Sequence, residues 1–269
     1  MTPPWIRGAR AAAIFLTRIP VGGFPFSRDD WRWSSAYFPL VGLGLGILQA
    51  AWFALFFRAG GFVAALMTVG ASLMLTGAFH EDGFADTADA LGGAYTREKI
   101  FEILKDSRVG VFGASALVWA LTLRAALLAR LAIAPTPEFT SAVVPVVLAA
   151  LVVTPCVSRV FPIWLMAAMP YVTGEPDAKS RTVARAGIPQ LIVATMTGLF
   201  VLVCACGLHL FKASELVAMA ALAGASSLVC AWRFRARTGG ITGDFLGATQ
   251  QVAELAMLLA LALMRGAQP

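Results

Sequence analysis

Residues 61–93 read GFVAALMTVGASLMLTGAFHEDGFADTADALGG. The first part, 61–79, contains no charged side chain, and then His80, Glu81, Asp82, Asp86 and Asp89 crowd into the next ten positions. A run of this length and apolarity spans a bilayer, which needs about 17–25 such residues. The acidic segment therefore begins where a transmembrane helix reaches water. This junction sets the frame for the rest of the chain.

The whole sequence agrees. Of 269 residues, 59% are apolar and 13% charged, against roughly 45–50% and about 25% in soluble domains. Hydropathy places spans at about 36–57, 61–80, 110–133, 139–169, 188–211, 214–232 and 248–264. The last is short. The fourth is long and holds Pro145, Pro155 and Pro162, so it reads as one kinked span or as two segments. The expected fold class is all-α: a polytopic membrane bundle of about seven transmembrane helices, forming a single domain over residues 1–269.

Basic residues orient the bundle. Arg7, Arg10, Arg18, Arg28 and Arg32 precede the first span, and Arg97, Lys99, Lys105 and Arg108 lie in the loop 81–109. Lys179, Arg181 and Arg185 follow in the loop 170–187, and Arg233, Arg235 and Arg237 in 233–247. Seven spans put all four regions on one side, and Arg58, Lys212 and Arg265 on the other. The positive-inside rule then places the N-terminus and the acidic segment in the cytoplasm. The net charge of +6 describes one face. Residues 9–20, ARAAAIFLTRIP, are too short to span. They read as an interfacial helix within an N-terminal segment, 1–35. Cys156, Cys204, Cys206 and Cys230 all fall in apolar spans without metal-type spacing and read as small buried residues.

On a helical wheel Asp82, Asp86 and Asp89 fall at about 0°, 40° and −20°, a single stripe. Like charges so spaced repel, and a low-dielectric boundary strengthens the repulsion. A cation relieves it. Carboxylate oxygens suit Mg²⁺, Mn²⁺ and Ca²⁺, and Mg²⁺ commonly takes one or two carboxylates plus substrate phosphates. A solvated acidic loop and an ion or proton route are the competing readings of the stripe alone.

Two further stretches share its side of the membrane. KDSRVGVFG, 105–113, brings Asp106 as a further metal ligand, and Lys105 and Arg108 as phosphate partners. RTGGITGDFLGATQQVAE, 237–254, carries Thr242, Gly243 and Asp244 on a glycine-rich turn that feeds a helix, a geometry that offers backbone N–H groups to an anion. Arg159, deep for a charge, reads either as snorkelling to the interface or as lining a cavity and meeting a phosphate. Arg181 is a weaker candidate for the same task.

GAFHEDGFADTADALGG, KDSRVGVFG and GGITGDFLGA, in that order, resemble the cobalamin synthase (adenosylcobinamide-GDP ribazoletransferase) family. FLTRIPVG and FPLVGLGLG near the N-terminus fit it too, so the resemblance runs from about residue 14 to 254. Ala90 departs from the family's glycine. The resemblance implies an inner-membrane enzyme with its site facing the cytoplasm, acting on adenosylcobinamide-GDP and α-ribazole or its 5′-phosphate. It implies Mg²⁺, as one ion or two, with Mn²⁺ as a substitute. Asp82, Asp86, Asp89 and Asp106 would hold metal. Lys105, Arg108, Arg159, Arg181, Thr242, Gly243 and Asp244 would meet substrate. Glu81 or His80 would take the hydroxyl proton, Glu81 being preferred in an unbroken helix and His80 if Gly83 breaks it. No nucleic-acid partner is expected, and a homo-oligomer is left open. The rival reading is a secondary transporter of a phosphorylated or corrinoid solute, which predicts paired broken helices near mid-bilayer rather than acids at one edge.

Overall fold

The computed structural model of the chain describes residues 2–23, 25–132, 140–172, 182–184 and 186–266. Helix α1 is Pro4–Leu16 and α2 is Arg28–Ser34. The spanning candidates are α3 (Phe38–Phe56), α4 (Gly61–Thr76), α7 (Val111–Leu131), α8 (Thr140–Ser158), α9 (Val160–Ala168), α10 (Ile188–Gly207), α11 (Ala213–Thr238) and α12 (Gly243–Gly266). Helices α5 (Phe79–Gly93) and α6 (Arg97–Ile103) connect α4 to α7. Among the described residues six helices are long and apolar enough to cross a membrane, and α4 with α5 makes a seventh, bent pair. The chain is a polytopic helical bundle.

The long fourth span resolves as one interrupted crossing. Helices α8 and α9 meet at Arg159 (φ −76°, ψ −5°), and residues 146–168 together meet the length and apolarity of a single span. The short last span is instead 24 residues long and lies in the centre of the bundle. Its hydropathy is diluted by Gln250, Gln251 and Glu254, which are buried inside protein rather than facing lipid.

The apolar run from 61 does not continue straight into the acids. Gly77 (φ 64°) and Ala78 (φ 55°) both adopt the left-handed conformation, and α5 leaves at 92° to α4. The N–H groups of Gly77 and Ala78 both donate to the Leu73 carbonyl, a Schellman-type ending. Glycine at 77 takes its positive φ without strain, and the Arg18 guanidinium packs over the position. The backbone N–H of Arg18 donates to the Leu75 carbonyl at 2.8 Å, which fastens the end of α1 to this corner.

Helix α1 is too short to span, as expected, but part of its apolar patch turns inward. Leu16 is buried, and Phe15 stacks on Phe38 with centroids 5.8 Å apart and meets Phe79 edge-on at 5.1 Å. Arg7 pairs with the buried Asp30 at 2.7 Å, tying α1 to α2. Asp30 also forms a capping box with Ser27 at the start of α2.

Two apolar clusters make the core. One contains Phe53, Leu128, Leu151, Met219 and Met257; the other contains Leu16, Ile100, Ile163, Phe234 and Phe245. Helix α12 passes through both, with Phe245 and Ala248 in one and Met257 and Leu261 in the other. Its stretch between them carries buried Thr249, Gln250, Gln251 and Glu254. A polar layer therefore separates two apolar ones.

Candidate active site at the bend of α4 and α5

Helix α5 runs unbroken through Gly83, so the carboxylate stripe exists as the periodicity predicts. Gly83 serves a different purpose from a helix break. A methyl there would sit 2.9 Å from Asp244 Cα and 3.0 Å from its carbonyl oxygen. The missing side chain lets α5 cross the first turn of α12 at backbone distance. This crossing brings Asp244 to the stripe. Asp82, Asp89 and Asp244 all lie near enough to Asp86 to act on it electrostatically.

The stripe's three carboxylates do different things. Asp89 is buried, and its two oxygens accept from the backbone N–H groups of Gly110 (2.7 Å) and Gly113 (2.8 Å). It caps α7 from another helix and satisfies donors that α7 cannot satisfy itself. The segment 105–113 thus does return beside the cluster, held there by Asp89. Asp82 is exposed and Asp86 half-buried. Among the described residues no Lys or Arg forms an ion pair with Asp82, Asp86 or Asp244.

Asp244 sits in the first turn of α12 beside Thr242, which is buried and whose hydroxyl oxygen accepts from the Phe245 N–H at 3.2 Å. Thr242 is the N-cap of α12, and its hydroxyl approaches Asp244 at 3.5 Å. A parallel bridge between Tyr171 and Ile241 clips the turn to the end of α9. Gly243 lies near the Tyr171 hydroxyl.

Asp106 and Arg108 face each other. The guanidinium donates to both carboxylate oxygens, from Nε at 3.0 and 3.1 Å and from Nη2 at 2.6 Å. These bonds hold the Asp106 carboxyl down at about 2 and push Arg108 up. The pair lies in water, so its net contribution to stability is small and its exchange for another partner is easy. Lys105 is exposed on the same loop. Arg181 lies outside the described residues.

Glu81 and His80 point away from the stripe. Glu81 is buried and accepts from Gln251 Nε2 at 3.1 Å. From there a buried network continues: Gln251 donates to Gln250, and Gln250 to Glu254 (2.6 Å) and to Ser158 (3.0 Å). Glu254 pairs with Arg124 at 2.7 Å, and Arg124 donates to Gln49 at 2.9 Å. Spacing arguments missed Arg124, Glu254, Gln49, Gln250 and Gln251. Their signal is simple: charged or amide side chains interrupting spans that are otherwise apolar. His80 and Arg159 line a cavity on the far side of α5. Arg159 does not snorkel; it is buried and donates to its own helix at the Pro155 carbonyl, 2.7 Å.

The donor chemistry suits a divalent hard cation, with Asp82, Asp86 and Asp244 offering carboxylate oxygens. Among the described residues no three His, Cys, Asp or Glu side chains come close enough together to hold a metal ion by themselves. An incomplete set matches the way Mg²⁺ shares its shell with waters and substrate phosphates.

A profile of the cobalamin-5-phosphate synthase family matches residues 8–262. The chain belongs to that family. It is 37% identical to the adenosylcobinamide-GDP ribazoletransferase of Polaromonas sp. (strain JS666 / ATCC BAA-500), over 96% of this chain and 97% of the relative. It is 38% identical to that of Rhizobium etli (strain CIAT 652), over 94% and 95%, and 37% identical to that of Shewanella amazonensis, over 94% of each. No solved structure matches. As a member of the cobalamin-5-phosphate synthase family, the chain is a transferase of cobalamin synthesis, and the transporter reading falls away. All three quoted motifs lie inside the matched range.

Proposed function

We propose that the chain transfers the adenosylcobinamide phosphate moiety of adenosylcobinamide-GDP to α-ribazole or α-ribazole 5′-phosphate, releasing GMP, with Mg²⁺ at the carboxylate edge. One observation carries this reading: Asp82, Asp86 and Asp244 converge from two helices at one edge of the bundle, and no basic residue among those described neutralises them. A diphosphate substrate brings its own negative charge, so the site calls for metal between the two.

In the reaction a ribose hydroxyl oxygen attacks the phosphorus on the cobinamide side. The phosphoanhydride bond breaks, GMP leaves with the bridging oxygen, and the hydroxyl proton passes to a base. Bound Mg²⁺ would neutralise the diphosphate and the departing phosphate. Asp82, Asp86 and Asp244 would hold that charge, carried on two helices, α5 and α12, that cross at backbone distance. Arg108 is positioned to trade Asp106 for a phosphate oxygen, which it meets as a planar fork. Asp106 would hold a second ion only after Arg108 leaves it. Glu81 reaches solvent only through movement of the buried network, whereas His80 opens onto a cavity. The basic loops support a cytoplasmic site in an inner-membrane protein under the positive-inside rule.

The test is direct. Purified protein in detergent is given adenosylcobinamide-GDP and α-ribazole with and without Mg²⁺, and corrinoid product and GMP are quantified. Equal amounts of both, formed only with the divalent ion, are expected. Full turnover in Asp82→Asn and in Asp86→Asn would remove the metal assignment.

A further inference from the structure

The cavity lined by His80 and Arg159 lies on the side of α5 opposite the carboxylates, between α1, α9 and the start of α12. It is a narrow slot with about 50 Å³ of free space, and it shares Met166, Tyr171 and Ala184 with a wider cleft. Phe15, Phe38, Phe79 and Met166 give it apolar walls, and His80 and Arg159 are polar groups on its lining. Both are buried, 6% and 4% exposed. Arg159 Nη1 is bonded to the Pro155 carbonyl, but its Nε has no partner. A buried donor left unmade costs about 1–3 kcal/mol, and a ligand acceptor that reached the guanidinium from the cavity would offset that cost.

The charges around it narrow the ligand further. Arg159 interacts electrostatically with Glu81, Glu254 and Arg124. Two guanidiniums and two carboxylates balance formally, and an additional buried anion would upset that balance at high cost. The acceptor should therefore be neutral. Aromatic walls favour a flat ring. The wider cleft that Met166, Tyr171 and Ala184 also line carries Arg28, Asp29 and Arg32, a net positive lining that suits an anionic end. Gly243, the neighbour of Asp244, lines the cavity too, and His80 and Asp82 belong to one turn of α5.

We infer that this cavity seats the neutral heteroaromatic base of the acceptor nucleoside, with Arg159 and His80 as the polar groups that meet a ring nitrogen and any phosphate on the sugar lying toward Arg28 and Arg32. The inference rests on the ribazole-transfer reading and adds where the acceptor is gripped. It also explains why Arg159 and the motif histidine sit away from the metal edge. Met166 is the residue whose enlargement fills the space without touching the carboxylates.

The experiment uses the full chain, as wild type, Met166→Trp and the volume-conserving Met166→Leu, each checked for a single symmetric peak by size exclusion. Equilibrium dialysis measures α-ribazole binding without corrinoid substrate, and free benzimidazole serves as competitor. Met166→Trp should weaken α-ribazole binding and raise its KM by about tenfold, the equivalent of one buried hydrogen bond. The KM for adenosylcobinamide-GDP should stay within about twofold, and Met166→Leu, which keeps the volume, should lose much less α-ribazole binding than Met166→Trp. Arg159→Lys keeps the charge, loses the planar guanidinium and provides the second arm, with the same selective loss. A folded Met166→Trp that spares both substrates, or that affects the corrinoid alone, overturns the inference. Displacement of α-ribazole by a long-chain alcohol but not by benzimidazole assigns the cavity to an acyl chain and also overturns it. Because the dialysis needs no turnover, a chain that binds α-ribazole here yet forms no product defeats the transferase reading and leaves the cavity assignment standing.

Discussion

Replacing Asp89 separates capping from catalysis within one acidic stripe. Its carboxylate accepts from the buried Gly113 N–H at 2.8 Å and the partly buried Gly110 N–H at 2.7 Å. Hydrogen bonds to a charged acceptor contribute about 1.5–3 kcal/mol each. Water replaces part of the Gly110 bond in the Ala variant, but little of the Gly113 bond. Relief of repulsion from Asp86, one turn away, returns about 0.2–0.5 kcal/mol. Asp89→Ala should therefore lose about 2–4 kcal/mol. In a protein of this size that lowers Tm by roughly 5–15 °C. Asp89→Asn keeps one acceptor and should fall between. Asp82→Asn and Asp86→Asn remove repulsion and break no hydrogen bond among the described residues, so metal-free protein should be as stable as wild type or slightly more so. Thermal unfolding in detergent, without divalent ions, reads all four variants. If Asp89→Ala melts within about 1 °C of wild type while losing its response to Mg²⁺, the carboxylate is a metal ligand and the capping assignment is wrong. If Asp82→Asn melts as low as Asp89→Ala, the whole stripe is structural.

Three further outcomes follow from other contacts. Gly83→Val should pry α5 from the first turn of α12, because its Cβ would meet Asp244 backbone at 2.9 Å; turnover should fall at least about tenfold with Mg²⁺ affinity, measured by activity against Mg²⁺ concentration, and unchanged affinity would refute the shared site. Glu254→Gln leaves the Arg124 guanidinium uncompensated in the polar layer and should cost about 3–5 kcal/mol in unfolding experiments. The double variant Arg124→Gln with Glu254→Gln should lose less than either single change, and strict additivity would mean the pair is uncoupled. The Asp106 carboxyl, held at about 2 against an ordinary 3.8, stays ionised to low pH. Its contribution is present above pH 4 and fades as pH falls through about 2. Asp106→Asn should therefore leave any acid limb of turnover above pH 4 in place, and a moved limb would show that Asp106 titrates there.

The stripe was legible because α5 is regular over 15 residues and a 3.6-residue period does not depend on tertiary contacts. The returning segment 105–113 was legible from the antiparallel order of neighbouring spans. The corner at Gly77 and Ala78 was not, because hydropathy measures how apolar a run is and carries no direction. The span read as 61–80 therefore hid a 92° turn. Helix α12 was undervalued for a related reason. Gln250, Gln251 and Glu254 lower its hydropathy, yet they face other helices, where their polar atoms are matched by Ser158, Glu81 and Arg124. Polarity counts against a lipid-facing span and not against a buried one.

That distinction also sorts the acids of α5 by what their neighbours supply. Glu81, on the inward face, is met by Gln251. Asp89, at the far end, is met by two amides of α7. Asp82 and Asp86 lie on the edge opened by the bend, and the next charged group brought to them is another carboxylate, Asp244. A straight α4–α5 helix would have carried the stripe away from α12 along the membrane normal. The left-handed pair at 77 and 78 instead lays it across the α12 N-terminus, where Gly83 permits backbone contact. Like charges assembled by so specific a corner oppose folding unless a cation joins them, so the bend is better explained by what binds at the edge than by the stability of the bundle alone.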